Sequence, residues 1–252
     1  MARRLRKFFV AILTILSLGV TSTTWAGPPF VTDDPEPVDY QHWEVDFFSI
    51  YNHAHGSDSG QVPAVEVDYG AWPNVQLHVI SPVAYDRQPV KGMHYGYGDT
   101  ELGVKYRFVQ ETDSCPQVGV FPLLELPTGD SGRGLGNGQT QIFTPLWLQK
   151  SFGAEKEWTT YGGGGWWYNP GVEHRNFMQI GWELQRDIGA HLTLGGEIYH
   201  LTPSAVGAGA RTVFNLGGNY NFDEHRHLLF SAGRDIVGPN QFSCYLGFQL
   251  TI

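Results

Sequence analysis

The sequence contains little cysteine, and its acidic residues outnumber its basic ones. Two of its 252 residues are cysteine, Cys115 and Cys244, which is too few for a disulfide-based scaffold. One disulfide between them is possible in an exported protein. Lysine and arginine number 16 against 25 aspartate and glutamate, for a formal net charge of −9. This balance argues against nucleic acid as a partner, because phosphate binding needs clustered basic side chains.

Long apolar runs are absent except near the start, where the pattern predicts a signal peptide. MARRLRKFF places four positive charges ahead of FFVAILTILSLGV, and TSTTWAG follows with small and polar residues. A basic head, a short apolar middle and a small-residue exit are typical of secretory leaders. A transmembrane anchor is the alternative, but the run is shorter than the roughly 18 to 20 residues that a spanning helix needs. We predict residues 1–26 as the leader and export to the bacterial outer membrane.

An alternation of apolar and polar residues dominates the rest of the chain and predicts β-strands without a long helix. Residues 27–41 form a Pro-rich lead-in, and residues 42–252 contain no linker that would divide them into domains. We predict twelve strands, at 42–53, 61–71, 74–86, 99–110, 116–127, 139–151, 157–168, 175–187, 190–202, 211–222, 226–235 and 241–252.

The length of these segments favours a membrane barrel over a soluble sandwich, which would also show alternation. They run to about ten to thirteen residues, whereas strands of soluble proteins have about five or six and tilted membrane strands about 9–11. Glycines are frequent on the polar faces, and aromatic residues fall on the apolar faces near strand ends. Short connections alternate with longer ones, which are NHAHGSDSG, DRQPVKGMHYGYG, PTGDSGRGLGNG and TPSAVGAGA.

The chain ends in FSCYLGFQLTI, a strand whose apolar face runs to the last residue. Pairing of this strand with the first would leave no sheet edge, as a barrel in lipid requires. Gly247 followed by Leu250 and Ile252 resembles the C-terminal signal of outer-membrane barrels, although such signals most often end in an aromatic residue. We predict an all-β fold, a closed antiparallel transmembrane β-barrel of about twelve strands, with ten or fourteen as alternatives. Its expected partners are outer-membrane lipid and, through this strand, the barrel assembly machinery.

Three segments resemble a family of outer-membrane transporters named for the meta-pathway of phenol degradation (the MetA-pathway family). They are GDTELGVKYRF at 98–108, ELPTGD at 125–130 and GLGNG at 134–138. The resemblance covers most of the chain after the leader as a pattern, but its specific segments lie between about residues 98 and 152. It implies a barrel with a role in uptake or efflux, and the family name does not establish phenol as the substrate.

In a barrel whose apolar faces meet lipid, charged residues of the polar faces enter the lumen. These are Glu44, Asp46, Glu66, Asp68, Glu101, Lys105, Arg107, Glu125, Glu183 and Glu197, accompanied by His78. An acidic passage would favour cations or neutral polar solutes and repel anions. The alternative is a filled interior in which Lys105 and Arg107 pair with the glutamates and nothing passes. A twelve-stranded barrel lies between filled small barrels and open porins, so both interpretations stay open.

The loop PTGDSGRGLGNG lacks the following helix that a phosphate-binding loop needs. We expect it to narrow the pore entrance, with Asp130 and Arg133 as gate residues. The lead-in, including Asp33 and Asp34, is expected to be a solvated tail that is too short to act as a plug.

No cofactor, metal site or catalytic activity is expected. The histidine pairs at 53/55 and 225/227 lack clustered carboxylates or cysteine at ligand spacing. The best hydrolase set is His200 with Ser204 and Glu197, but His200 falls on the lipid-facing register. The sequence therefore predicts an outer-membrane channel for small solutes with an acidic lumen. The alternatives are a non-conducting structural or surface barrel and, with less support, a lipid hydrolase.

Overall fold

The strands of this protein form one antiparallel sheet that closes on itself. The computed structural model describes residues 29–90 and 92–252, and the predicted signal peptide lies outside them. The strands are β1 (Trp43–Ala54), β2 (Ser57–Trp72), β3 (Val75–Gln88), β4 (Gly92–Tyr97), β5 (Thr100–Val109), β6 (Gln117–Val120), β7 (Leu123–Leu126), β8 (Gln141–Phe152), β9 (Trp158–Tyr168), β10 (Phe177–Ile188), β11 (Leu192–Leu201), β12 (Arg211–Asn221), β13 (Arg226–Val237) and β14 (Phe242–Thr251). A 3₁₀ turn spans Ser131–Arg133. Within the described residues, no helix has the length and apolar character needed to cross a membrane.

These fourteen segments make twelve barrel strands, because two of the barrel strands are interrupted. β4 and β5 both pair with β3, at its C-terminal and N-terminal parts respectively. β6 and β7 both lie between β5 and β8, and the break between them falls at Phe121-Pro122. Proline has no N–H to donate to the ladder, which accounts for an interruption there. The prediction of a closed twelve-stranded antiparallel barrel is confirmed.

The last strand closes the barrel by pairing with the first. The register runs from Glu44 opposite Thr251 to His53 opposite Phe242. Trp43 and Ile252 exchange two backbone hydrogen bonds of 2.8 Å at the end of this ladder. Closure gives each of the twelve barrel strands a neighbour on both sides. Among the described strands, the β4 segment pairs with β3 alone and so keeps one free edge. We call the barrel end that holds Trp43 and Ile252 the terminal end, and the opposite end the loop end.

Alternation places apolar side chains outside the barrel and polar ones inside. On β10, Trp182 is 54% exposed, whereas its neighbour Glu183 is fully buried. The same contrast holds on β11 between Ile198 and Glu197. An outer surface of large apolar side chains suits an acyl-chain environment, since each strand exposes one of its two faces to the outside.

Two connections at the loop end are shorter than predicted. β1 and β2 meet across His55 and Gly56, whose φ angles of 51° and 77° are both left-handed. Two such residues make the tight turn that matches the twist of a β-hairpin. β2 therefore starts at Ser57, four residues before the predicted start, and β4 occupies much of the second predicted loop. The prediction of long loops at these two positions is wrong.

Candidate functional site in the barrel lumen

Much of the described part of the Pro-rich lead-in, residues 29–38, lies inside the barrel. Phe30, Thr32 and Asp33 are almost completely buried. The prediction of a solvated tail is wrong because the lumen supplies partners for the polar groups of this segment. The segment enters the lumen although it is short, and the expectation that it does not act as a plug stays a prediction.

Glu197 on β11 binds the lead-in near its N-terminal end, at residues 31 and 32. Its Oε1 accepts a hydrogen bond from Val31 N at 2.9 Å, and its Oε2 accepts one from Thr32 N at 2.7 Å. Asn215 Nδ2 donates a third bond, of 2.9 Å, to Oε1. Pro29 O accepts from Ser231 Oγ at 2.5 Å. A buried carboxylate is here satisfied by backbone N–H groups that have no strand partner.

Lys105 on β5 binds the middle of the lead-in. Its Nζ donates to Asp33 Oδ1 at 3.0 Å and lies 4.9 Å from the ring centre of Phe121. Arg107 pairs with Glu36 at 3.3 Å, nearer the terminal end. Both predicted luminal cations therefore pair with lead-in carboxylates, whereas the filled-interior hypothesis paired them with glutamates of the barrel wall.

Two luminal glycines leave room for this segment. A Cβ on Gly181 would lie 2.0 Å from Thr32 Oγ1, and one on Gly119 would lie 2.9 Å from Pro35 Cβ. A real side chain does not tolerate such distances, so the lead-in and the wall approach each other only where the wall has no side chain. The sequence showed glycines on the polar faces without showing what lies against them.

Four carboxylates and one histidine gather on the wall formed by β1, β2, β3 and β5. We call them the acid–histidine cluster: Asp46, Glu66, Asp68, His78 and Glu101. His78 Nδ1 lies 2.8 Å from Asp68 Oδ1, and its Nε2 lies 3.1 Å from Glu101 Oε1. Glu66 Oε1 is 3.4 Å from Nδ1. All five residues are buried.

The ten predicted luminal residues differ in their surroundings. Eight are buried, and Glu44 and Arg107 are half-buried. Glu183 is opposite Glu197 in the β10–β11 register, and neither of its carboxylate oxygens has a hydrogen-bond partner in the described residues. Glu125, near the loop end, accepts a hydrogen bond from the side chain of Asn137. A role for these residues in lining a solute pathway stays a prediction.

The lumen also contains apolar side chains that the sequence analysis did not assign to it. Phe48 and Ile50 follow Asp46 on the inner face of β1, because the doublet Phe47-Phe48 puts one ring on each side of the sheet. Two clusters result, one of Val31, Phe48, Ile50, Ala64, Ile80, Tyr199, Leu201, Val213, Leu229 and Tyr245, and one of Phe121, Leu123, Phe143, Trp147 and Trp167. The lumen is thus polar in some parts and apolar in others.

The Gly-rich loop folds over the loop end. Asp130 and Arg133 are exposed, and the Asp130 side chain accepts from Arg133 N at 3.3 Å to cap the short 3₁₀ turn. Leu135 is buried, and Asn137 Nδ2 donates to Gln141 Oε1 at 2.7 Å inside the barrel. Asp99 accepts from Gly129 N at 2.8 Å and so ties the start of the loop to the wall.

A cavity of about 360 Å³ opens at the terminal end. Its lining carries charges of both signs and several amides, from Glu36, Arg107, Gln110, Glu111, Gln117, Gln149, Ser151 and Lys156. Such a lining can hydrogen-bond a polar solute, and one of its groups, Glu36, belongs to the lead-in.

The suggested hydrolase residues do not form a catalytic pair. His200 Nδ1 lies 2.9 Å from Thr212 Oγ1, on the outward register of β11. Within the described residues, no hydrogen bond joins His200 to Ser204, whose backbone oxygen accepts from Arg175 N at 2.9 Å. Glu197, the third suggested residue, is engaged with the lead-in.

No protein-family model matches the chain, and no curated protein matches it. Among solved structures, the COG4313 outer membrane channel from Pseudomonas putida F1 has a TM-score of 0.71 at 16% identity, covering 90% of this chain and 100% of that one. The KdgM porin has a TM-score of 0.55 at 10% identity and covers 82% and 98%, and it has also been solved in complex with disordered oligogalacturonate. The NanC porin has 0.54 at 11% identity, with the same coverage. The chain therefore has the fold of outer-membrane β-barrels.

Proposed function

We propose that this protein is an outer-membrane channel for small solutes, with the lead-in as a removable obstruction in its lumen. The observation that carries the proposal is the way the lead-in is held. Its contacts to Glu197, Lys105 and Arg107 are hydrogen bonds and ion pairs, which break and re-form without unfolding the barrel. The terminal end faces the periplasm in this proposal, because short turns lie on that side of outer-membrane barrels.

Small cations and neutral polar molecules are the proposed solutes. Carboxylates outnumber Lys105 and Arg107 among the charged luminal residues, and an acidic passage lowers the local concentration of anions. This charge argues against a polyanion such as the oligogalacturonate of the KdgM complex. The transport role agrees with the family that segments 98–108 and 125–130 resemble.

The outer entrance is narrowed by the loop at 127–138. Leu135 and Asn137 are the loop residues that enter the barrel, so we assign the constriction to them. Asp130 and Arg133 were predicted as gate residues, and we propose that they stabilise the shape of the loop through the 3₁₀ cap.

A non-conducting barrel is the second candidate, favoured by the two apolar clusters inside the lumen. In that case the lead-in would be a permanent part of the interior, and its contacts would serve stability alone. No observation favours a lipid hydrolase.

Conductance measurements separate the channel from the filled barrel. The chain without its leader would be refolded in detergent, and folding would be verified by its faster migration before boiling. Planar-bilayer recordings would compare it with a variant that lacks residues 29–38. We expect small or rare steps from the first protein and larger, cation-selective steps from the second. The Glu183→Gln and Glu125→Gln substitutions should weaken the cation selectivity of the shortened variant. Silence of both proteins at all voltages would overturn the channel.

A further inference from the structure

The acid–histidine cluster has the geometry of a metal site. One ligand atom each from Glu66, Asp68 and His78 can be chosen so that all three lie within 4.8 Å of one another. A cation that holds its ligands at about 2.0–2.4 Å needs donor atoms no farther apart than about twice that distance. We propose that this cluster binds a divalent transition-metal cation of the Zn²⁺ class in the lumen wall.

Charge balance supports a bound cation. The cluster contains four carboxylates and one imidazole, so even a protonated His78 would leave three negative charges if every carboxylate were ionised. Lys105, on the same strand as Glu101, is hydrogen-bonded to Asp33 of the lead-in. Buried charges without partners are strongly disfavoured, and a divalent cation would offset two of them.

Two carboxylate oxygens of the cluster have no hydrogen-bond partner in the described residues. They are Asp46 Oδ1 and Glu101 Oε2, and both residues are 1% exposed. Glu101 contacts His78 through its other oxygen, and Asp46 is directly opposite Glu66 in the β1–β2 register. Opposed residues of an antiparallel pair have Cβ atoms about 5 Å apart, so the unpaired oxygen of Asp46 lies near the Glu66 side chain. Buried acceptors without donors are rare, and a cation would satisfy both.

The donor set selects the kind of cation. Ca²⁺ and Mg²⁺ take oxygen ligands almost exclusively, whereas imidazole together with carboxylates suits Zn²⁺ and related ions. Binding requires a neutral imidazole, so His78 would exchange its contact with Asp68 for the metal and release any proton it carries. Glu44 is half-buried, is opposite Asp68 and lies nearer the terminal end, which places an acidic residue on the entry path from that side.

Zinc titration of the folded, untagged protein tests the site. Isothermal calorimetry in detergent should show one strong Zn²⁺ site per chain and little response to Ca²⁺ or Mg²⁺ at the same concentration. His78→Gln and Asp68→Asn should each weaken binding at least tenfold, since even outer-shell changes reduce metal affinity about 10- to 100-fold. His53→Gln is the matched control, because His53 also lies beside a carboxylate, with Nδ1 2.6 Å from Asp58 Oδ1, but at the exposed end of β1. Glu183→Gln controls for the loss of a buried luminal carboxylate.

A second measurement on the unsubstituted protein keeps the test decisive if a variant fails to fold. X-ray absorption at the zinc edge should show only nitrogen and oxygen ligands, with the multiple-scattering signature of one imidazole. Sulfur ligands would place the ion at Cys115 or Cys244 and overturn the proposal. Absence of strong binding, or affinity unchanged in His78→Gln, would overturn it as well and would mean that protons alone balance the cluster. Zinc binding needs the folded barrel but no open pore, so its outcome is separate from that of the conductance experiment.

Discussion

Lys105 and Glu197 hold the lead-in, whereas the acid–histidine cluster makes no hydrogen bond to it in the described part of the chain. Glu197 takes its donors from the backbone of residues 31 and 32, and Lys105 takes its counter-ion from Asp33. The carboxylates of the cluster instead contact His78, which belongs to the barrel wall itself. Charged residues of one lumen therefore take their hydrogen-bond partners from the lead-in in one place and from the barrel wall in the other.

This difference divides the polar luminal residues into those that bind the lead-in and those that bind one another. Groups that bind the lead-in determine how often the lumen is free, because each contact stabilises the inserted state relative to the released one. Groups whose hydrogen-bond partners lie in the wall should depend less on whether the lead-in is present. Substitutions in the first set should change occupancy of the lumen, and substitutions in the second should leave it unchanged. Release of the lead-in is measurable as cleavage of the buried Thr32–Asp33 bond by a protease that cuts before aspartate, with the fragment identified by mass spectrometry.

Lys105→Met should have the largest effect on the lead-in. It removes the cation that neutralises buried Asp33, and removing one partner of a buried ion pair costs about 3–5 kcal/mol. We expect cleavage before Asp33 to become at least about 100-fold faster, since each 1.4 kcal/mol is a factor of ten in the equilibrium. The control is Lys156→Met, at the terminal end and without an ion pair to the lead-in among the described residues. Equal cleavage rates for the two variants would show that the Lys105–Asp33 pair does not hold the segment.

Glu197→Ala should rank second. It leaves the N–H groups of Val31 and Thr32 without acceptors inside the barrel. Each buried donor that loses its partner costs about 1–3 kcal/mol. Part of this is recovered when the segment leaves the lumen and water binds the two groups. We expect cleavage roughly tenfold to 100-fold faster than in the unsubstituted chain. Glu197→Gln keeps one acceptor oxygen, so its cleavage rate should lie between those of Glu197→Ala and the unsubstituted chain. If Glu197→Ala left both cleavage and conductance unchanged, the anchoring role of this carboxylate would be refuted.

Gly181→Ala should have a moderate effect that acts through shape alone. The added methyl would stand 2.0 Å from Thr32 Oγ1, and overpacking of this kind costs about 1–3 kcal/mol. The barrel relieves the clash by releasing the lead-in, so we expect a higher open probability in bilayer recordings. Gly209→Ala is the matched control, because its Cβ would meet no atom within 4 Å. Identical recordings from the two variants would mean that the lead-in does not lie against β10 in the membrane.

Alternation was sufficient to predict the barrel and its closing strand, because register along a strand is a local property of the sequence. The position of the lead-in is not local. Asp33 and Lys105 are 72 residues apart, and Val31 and Glu197 are 166 apart. A Pro-rich segment has the same sequence signature in water as in a polar lumen, where side chains replace water as its hydrogen-bond partners. The acid–histidine cluster depends on the register of four strands, which includes a shift between Phe48 and Ile50. His78 was placed in the lumen from sequence, but its partners required the structure.

His78→Gln should have the smallest effect on the lead-in, and it is the sharpest test of the distinction between the two sets. The imidazole contacts Asp68 and Glu101, and none of these three residues bonds to residues 29–39 in the described structure. We expect cleavage before Asp33 to stay within about twofold of the unsubstituted rate. The Phe121 ring is a shared neighbour, 5.2 Å from the ring centre of His78 and 4.9 Å from Lys105 Nζ, but it carries no charge. The same preparation should show weaker zinc binding, so one variant should leave release of the lead-in unchanged while it reduces metal affinity. Faster cleavage before Asp33 in His78→Gln would mean that the cluster and the lead-in are coupled, because loss of the imidazole would then have moved the Phe121 ring that Lys105 also contacts.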